Sequence, residues 1–240
     1  SSFSGITEQY IDDSGHGTDI TYTWVRLDRK PTYSREIIAI GFDSSDNHIN
    51  SWVWNGSTWG NQTEISNTAT QTGGYEAIAV KYAADGSKGM VIGGNGTATA
   101  SSGTVNSRYW NGSAWSAINT FTVTVGNRNV RWANLKADPA SDDLQGVFID
   151  TGVRLSTAYW NGSTWVAIMD IDTAVDTATA RCADFDWNLT GSTGRLVWDT
   201  DGAGTTLSQR TCSPQCNTTT STFSTYAGTG TWVTMYANPL

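Results

Sequence analysis

The sequence predicts an all-β fold, a propeller-like array of four-stranded antiparallel blades, and three observations predict it. A six-residue stretch recurs almost verbatim: W-N-G-S-T-W at Trp54 to Trp59, W-N-G-S-A-W at Trp110 to Trp115, and W-N-G-S-T-W at Trp160 to Trp165. Strand-start markers return about every 50 residues, close to the ~40–50 residues of one propeller blade. In 240 residues there are 25 Gly and 12 Trp but only 4 Pro, a mixture suited to many short strands joined by tight turns.

The hairpin comes first. Asn-Gly is the strongest short hairpin signal, because both residues tolerate the positive φ of a type I′ turn. Asn55-Gly56, Asn111-Gly112 and Asn161-Gly162 are therefore expected to close hairpins of either two or four loop residues. The flanking pairs Trp54 and Trp59, Trp110 and Trp115, and Trp160 and Trp165 then meet across the strands. Such aromatic pairs contribute roughly 0.2–1 kcal/mol each.

A second marker sets the phase of the repeat. Trp24-Val-Arg-Leu27 is matched by Trp132-Ala-Asn-Leu135 and Trp232-Val-Thr-Met235, with related starts at Glu76 and Arg181. Odd and even members resemble each other best, so the larger period is about 100 residues. Within the single domain 1–240, the four units run approximately 21–66, 75–121, 130–171 and 178–225. Ile37-Ile-Ala-Ile40 is apolar throughout, as expected of a strand buried on both faces. In unit two the fourth strand is expected at Trp115 to Phe121, after a Gly/Ser/Thr-rich loop from Gly93 to Gly103. Unit four carries Cys212-Ser-Pro-Gln-Cys216 where the others carry two Trp. A cross-hairpin disulfide is expected there, implying an oxidising compartment. Cys182, inside an apolar strand start, reads as a buried free thiol.

Both ends carry an unmatched strand, 3–11 at the start and 230–240 at the end. Trp232, Val233, Met235 and Tyr236 open a fifth unit. A lone strand exposes unpaired N–H and C=O groups and must find a partner. That partner is either the N-terminal segment, closing a composite fifth blade, or the next molecule, building a filament. A piece of a longer repeat protein is the third reading.

With these motifs in hand, the chain resembles a family of secreted and cell-surface repeat proteins of bacteria and archaea. The shared pattern is a W-V-x-L…D-P strand, an apolar strand ending in Gly-x-x-Asp, then W-N-G-S-x-W. Trp24 to Trp59 and Trp132 to Trp165 carry it, and units two and four follow the companion half. The resemblance covers essentially the whole chain. It implies a propeller-like surface module and carries over no catalytic residue.

Charge and motifs narrow the function classes. The net charge is −8 with Lys and Arg dispersed, which argues against a nucleic-acid partner. No run of ~20 apolar residues is present to span a membrane. The first residues look like a mature or trimmed start, and N-x-[ST] sequons stand at Asn55, Asn61, Asn95, Asn111, Asn161, Asn188 and Asn217. Together these features place the chain outside the cell or on its surface, with the sequons as glycosylation candidates.

Chemistry is sparse. The sialidase box S-x-D-x-G-x-T-W is unmatched, and the only Glu residues are Glu8, Glu36, Glu64 and Glu76. Glycoside hydrolysis needs two carboxyls about 5–9.5 Å apart. His16 and His48 fall in no catalytic order, and no G-x-S-x-G elbow occurs. Asp199 and Asp201 are weak candidates for calcium, but the twelve-residue loop is absent and a turn is favoured; no other cofactor is expected. The repeated Trp residues read as blade-to-blade packing in preference to sugar platforms, since all occupy one repeat position. The expected function is an extracellular structural or adhesive protein that assembles with itself through its end strands. The alternative is a lectin-like propeller binding surface glycans, with a glycosidase third.

Overall fold

The computed structural model describes residues 21–32, 34–67, 69, 75–95, 102–125, 128–175, 181–200, 206–217, 221–224 and 232–237. Sixteen strands form four separate four-stranded antiparallel meanders. Blade 1 holds β1 (Tyr22–Arg29), β2 (Ile37–Asp43), β3 (His48–Trp54) and β4 (Trp59–Ser66). Blade 2 holds β5 (Ile78–Tyr82), β6 (Gly89–Gly94), β7 (Ser102–Trp110) and β8 (Asn119–Val125). Blade 3 holds β9 (Val130–Ala137), β10 (Leu144–Asp150), β11 (Leu155–Trp160) and β12 (Trp165–Asp172). Blade 4 holds β13 (Ala183–Trp187), β14 (Gly194–Asp199), β15 (Thr206–Cys212) and β16 (Ser221–Ser224). The expected end strand 3–11, with Glu8 and His16, lies outside the described residues, as does Asp201.

Each blade is too thin to bury its own apolar faces, so the core lies in the seams between blades. Ile38, Ile40, Phe42 and Ile49 of blade 1 meet Ile78, Val80 and Val91 of blade 2. Ala79, Met90 and Phe121 of blade 2 meet Leu135, Phe148 and Trp160 of blade 3. Ile149 and Tyr159 of blade 3 meet Phe185, Leu196 and Cys212 of blade 4. The second strand of blade 3 faces a neighbouring blade on both sides, which is why β10 is buried along its whole length.

The repeated hairpins are the same turn three times. Trp54 pairs with Trp59, Trp110 with Trp115 and Trp160 with Trp165, and the loop between them has four residues. Only the glycines take positive φ, at 102° for Gly56, 93° for Gly112 and 82° for Gly162. The expected type I′ turn, with Asn also at positive φ, is thereby corrected. Each Asn instead turns its side chain into the loop. Asn161 Oδ1 accepts the Ser163 and Thr164 N–H groups at 3.1 and 2.9 Å, and Asn55 and Asn111 repeat the arrangement. The Trp rings lie 5.6, 5.5 and 5.6 Å apart at 54°, 56° and 61°. In blade 4 the Cys212–Cys216 disulfide takes their place, and Cys182 is a buried free thiol.

The second Trp of a hairpin ties its blade to the one before. Trp115 Nε1 donates to the Asn61 carbonyl of blade 1 at 2.6 Å. Trp165 Nε1 donates to Ser107 Oγ of blade 2 at 3.0 Å, and its ring stacks on Phe121 at 4.7 Å. Three of the six hairpin Trp residues are buried as packing would have them, while Trp54, Trp59 and Trp115 are half-buried. Trp110, Trp160 and Trp165 are 3%, 3% and 8% exposed, leaving little face for a sugar ring.

The inner strands carry ion pairs across the seams with alternating polarity. Asp28 of β1 pairs with Lys81 of β5 at 3.0 Å, and its Oδ2 accepts the Tyr82 N–H. Four residues past Trp132, at the place of Asp28, stands Lys136, which lies 3.8 Å from Asp186 of β13. The final segment, 232–237, docks on its own chain. Val233 N–H donates to the Arg181 carbonyl at 3.0 Å, as Ala133 N–H does to the Glu76 carbonyl at 3.2 Å. Met235 and Ala237 N–H groups donate to Asp184 Oδ2 and Asp186 Oδ2 at 2.9 and 2.7 Å. Trp132 stands between Trp24 at 6.1 Å and Trp232 at 6.2 Å.

Candidate functional site

Blade 2 breaks the repeat at its outer edge. In blades 1 and 3 the fourth strand starts at the second Trp of the hairpin, at Trp59 and Trp165. In blade 2 it starts at Asn119, not at Trp115 as expected; Ser116 keeps one ladder bond, its N–H donating to the Tyr109 carbonyl at 2.9 Å, and Ala117 and Ile118 stand off the ladder. Ser116 causes the break by placing its side chain where a backbone carbonyl belongs. Tyr109 N–H donates to Ser116 Oγ at 3.0 Å, while the Ser116 carbonyl accepts from Arg108 Nη1 at 3.0 Å. A short hydroxyl side chain competing with the ladder is a general way to interrupt regular structure. In blade 3 the residue after Trp165 is Val166, which offers no competing group and pairs with Tyr159.

The break opens a groove of about 450 Å³ along the seam between blades 2 and 3. Met90, Tyr109 and Trp160 give it apolar walls, with the Tyr109 and Trp160 rings 6.0 Å apart. Ser107, Asn119, Thr120 and Ser163 supply hydroxyl and amide groups, and Ile118, 42% exposed, stands at the rim. Among the described residues that line it, Arg108 is the one charged residue and none carries a carboxyl. Lys88 closes the seam nearby. Its Nζ donates to the Gly162 carbonyl at 2.5 Å, lies 3.8 Å from Asp142, and sits 5.7 Å over the Tyr109 ring. Few hydrogen-bonding groups converging on an apolar wall is the usual make-up of a small-molecule site.

Two other clefts differ in kind. One of about 420 Å³ lies on the outer face of blade 4 against Met235, Tyr236 and Ala237, where the Asp186 carboxylate is already taken by Trp187 and Ala237 N–H groups. Another, of about 430 Å³, is lined among the described residues by Arg29, Lys30, Pro31 and Thr32.

The carboxyls expected to matter for hydrolysis are engaged elsewhere. Glu36 accepts from the Tyr82 hydroxyl and lies by Lys30, Glu64 lies by His48 at 3.1 Å, and Glu76 pairs with Arg26. Asp184 is bound by Asn134 and Arg181. Two phenols are pushed well above their usual pKa, chiefly by burial: Tyr82, next to Glu36, and Tyr159, next to Asp143. Both remain neutral donors in the seams.

Among the described residues no group of three or more His, Cys, Asp or Glu is placed to hold a metal ion. Asp199 is buried at the end of β14, and its N–H donates to the Cys182 carbonyl, extending the β13–β14 pairing by one bond. The sequon residues Asn55, Asn61, Asn111, Asn161, Asn188 and Asn217 are exposed. Asn95 is half-buried, with its Oδ1 accepting from Ser66 Oγ at 2.9 Å. Of the residues that line the groove, Trp160 and Ser163 belong to the repeated hairpin, whereas Ser116 and Asn119 look like ordinary loop residues in the sequence.

No protein-family model matches the chain, and no curated protein matches it. Solved structures do. A mutant of the α-L-arabinofuranosidase of Fusarium graminearum, in complex with an iminosugar inhibitor, aligns at a TM-score of 0.51 and 13% identity. The alignment covers 85% of this chain and 66% of that one. An exo-β-1,3-galactanase of Phanerochaete chrysosporium aligns at a TM-score of 0.45 and 11% identity, over 89% of this chain and 51% of that one. The chain thus spans about two thirds of the first enzyme and half of the second. The fold is an all-β, propeller-like array of four-stranded antiparallel blades, similar to that of the solved arabinofuranosidase.

The expected structural, self-assembling role is corrected here. The solved structure that shares this fold at a TM-score of 0.51 is that of an α-L-arabinofuranosidase, not of a structural protein. The end strand proposed for assembly, with Trp232, Val233, Met235 and Tyr236, is seated on blades 3 and 4 of its own chain. In physical terms, the N–H groups that a lone strand leaves over are accepted by Arg181, Asp184 and Asp186.

Proposed function

We propose that this chain is a carbohydrate-binding propeller module of an extracellular protein, holding a saccharide in the groove between blades 2 and 3 without cleaving it. The groove itself carries the reading. An interrupted outer strand exposes Tyr109 and Ile118 beside Ser107, Asn119, Thr120 and Ser163. That combination matches a sugar, which has apolar C–H faces and a periphery of hydroxyls. Binding without cleavage is supported by the lining, which contains no carboxyl to act as acid, base or nucleophile. An extracellular setting is supported by the Cys212–Cys216 disulfide.

Titration calorimetry with a panel of oligosaccharides tests the reading, alongside an assay for new reducing ends. Saturable binding with no release of reducing ends is expected. Failure of every saccharide to bind at millimolar concentration sinks the reading, and steady release of reducing ends sinks its non-hydrolytic part.

A further inference from the structure

The ligand class of this groove is written in the repeat, through two arginines at one register position. Arg108 stands opposite Val91, two residues before Trp110. Arg210 stands opposite Leu196, two residues before Cys212. In blade 4, Arg210 bonds two carbonyls, Cys216 O through Nη1 at 3.4 Å and Ile171 O through Nη2 at 3.1 Å. In blade 2, Arg108 makes one bond, from Nη1 to the Ser116 carbonyl. Its Nε–H is buried with no acceptor, and no carboxylate among the described residues pairs with it. Both Arg108 and Ser116 line the groove, so the guanidinium end sits at the opening. A planar guanidinium with donors to spare, beside an uncharged sugar-sized groove, is a receptor for a carboxylate, which it meets with two parallel N–H···O bonds.

Resting on the carbohydrate reading above, we infer that the groove selects acidic saccharides, with a uronic carboxylate seated on Arg108. The Nη1–Nη2 end, of which one bond is taken by the Ser116 carbonyl, supplies the bidentate contact, and Lys88, 3.8 Å from Asp142, lies across the Tyr109 ring. The seam thereby offers a local cationic spot on a chain whose net charge is −8. Neutral sugars would meet the same hydroxyl and amide groups but leave the guanidinium edge unfilled, which costs affinity.

Titration of the intact chain with trigalacturonate and with its uncharged counterpart galactotriose decides the matter. The wild type should bind the acidic sugar roughly tenfold or more tightly, the scale of one charge-assisted hydrogen-bond pair. That ratio should shrink as salt is raised. R108Q should bring the ratio to about one, and R210Q, its counterpart in blade 4, should keep the wild-type ratio. Equal affinities in the wild type, or a ratio untouched by R108Q or by salt, overturns the assignment. If R108Q does not fold, the wild-type ratio and its salt dependence still decide. Binding of neither trisaccharide removes the carbohydrate reading together with this one, whereas binding of galactotriose alone removes only this one.

Discussion

Blades 2 and 3 share one hairpin and differ in the outer strand next to it. The turn geometry around Asn111 and Asn161 is the same, and the Trp pairs sit at the same separation within 0.1 Å. After Trp165 the chain continues as a regular outer strand, whereas after Trp115 it keeps a single ladder bond, from Ser116 N–H to the Tyr109 carbonyl, and then leaves the ladder until Asn119. The difference traces to one position, Val166 against Ser116. A β-branched side chain has nothing to offer the backbone, but a serine hydroxyl takes the Tyr109 N–H for itself. The repeat supplies a rigid frame, and a single local competition in one copy opens a site in it.

Substitutions in matched pairs sharpen this contrast, and the largest effect is expected at the second Trp. Trp165 is buried against Phe121 and Ser107, so Trp165→Ala should lower stability by about 3–5 kcal/mol. Trp115 is only partly buried, so Trp115→Ala should cost roughly half as much in the same thermal melts. Equal losses would mean that the two hairpins pack alike and that the break in blade 2 has no consequence for its seam.

The disulfide in blade 4 comes next. It closes a loop of only four residues in separation, so replacing both cysteines by alanine should cost on the order of 2 kcal/mol in denaturant titration. A loss as large as that of Trp165→Ala would show that the bridge does more than stand in for a ring pair. The smallest effect is expected at the turns. Asn111→Ala and Asn161→Ala each remove an acceptor for two exposed N–H groups, and each should cost about 1 kcal/mol. Unequal costs would break the claim that the turn is one unit copied intact.

Much of the frame was legible in the sequence because it rests on patterns that repeat. The Trp-Asn-Gly-Ser stretches marked the hairpins, the apolar run at Ile37 to Ile40 marked a strand buried on both faces, and Cys212 and Cys216 marked a bridge. The turn type was misread, because Asn can either adopt positive φ or bend its side chain back onto the loop, and here it does the second. The end segment was read as a strand, but its described residues 232–237 form none: Asp184 and Asp186 accept its N–H groups through side chains, and no strand pattern encodes that. The groove was invisible for a related reason. It arises where Ser116 departs from the repeat, and one serine in a Ser-rich chain gives no warning until its hydroxyl is seen against Tyr109 N–H.

Restoring the missing regularity is the most direct test of the central claim, that the interrupted outer strand of blade 2 makes the binding groove. Ser116→Val should let residues 116–118 join the ladder beside Tyr109, as Val166 does beside Tyr159. Calorimetric titration of this variant with the saccharide that the wild type binds best should show binding abolished while the melting temperature holds or rises. Undiminished binding by a folded Ser116→Val protein would contradict the account.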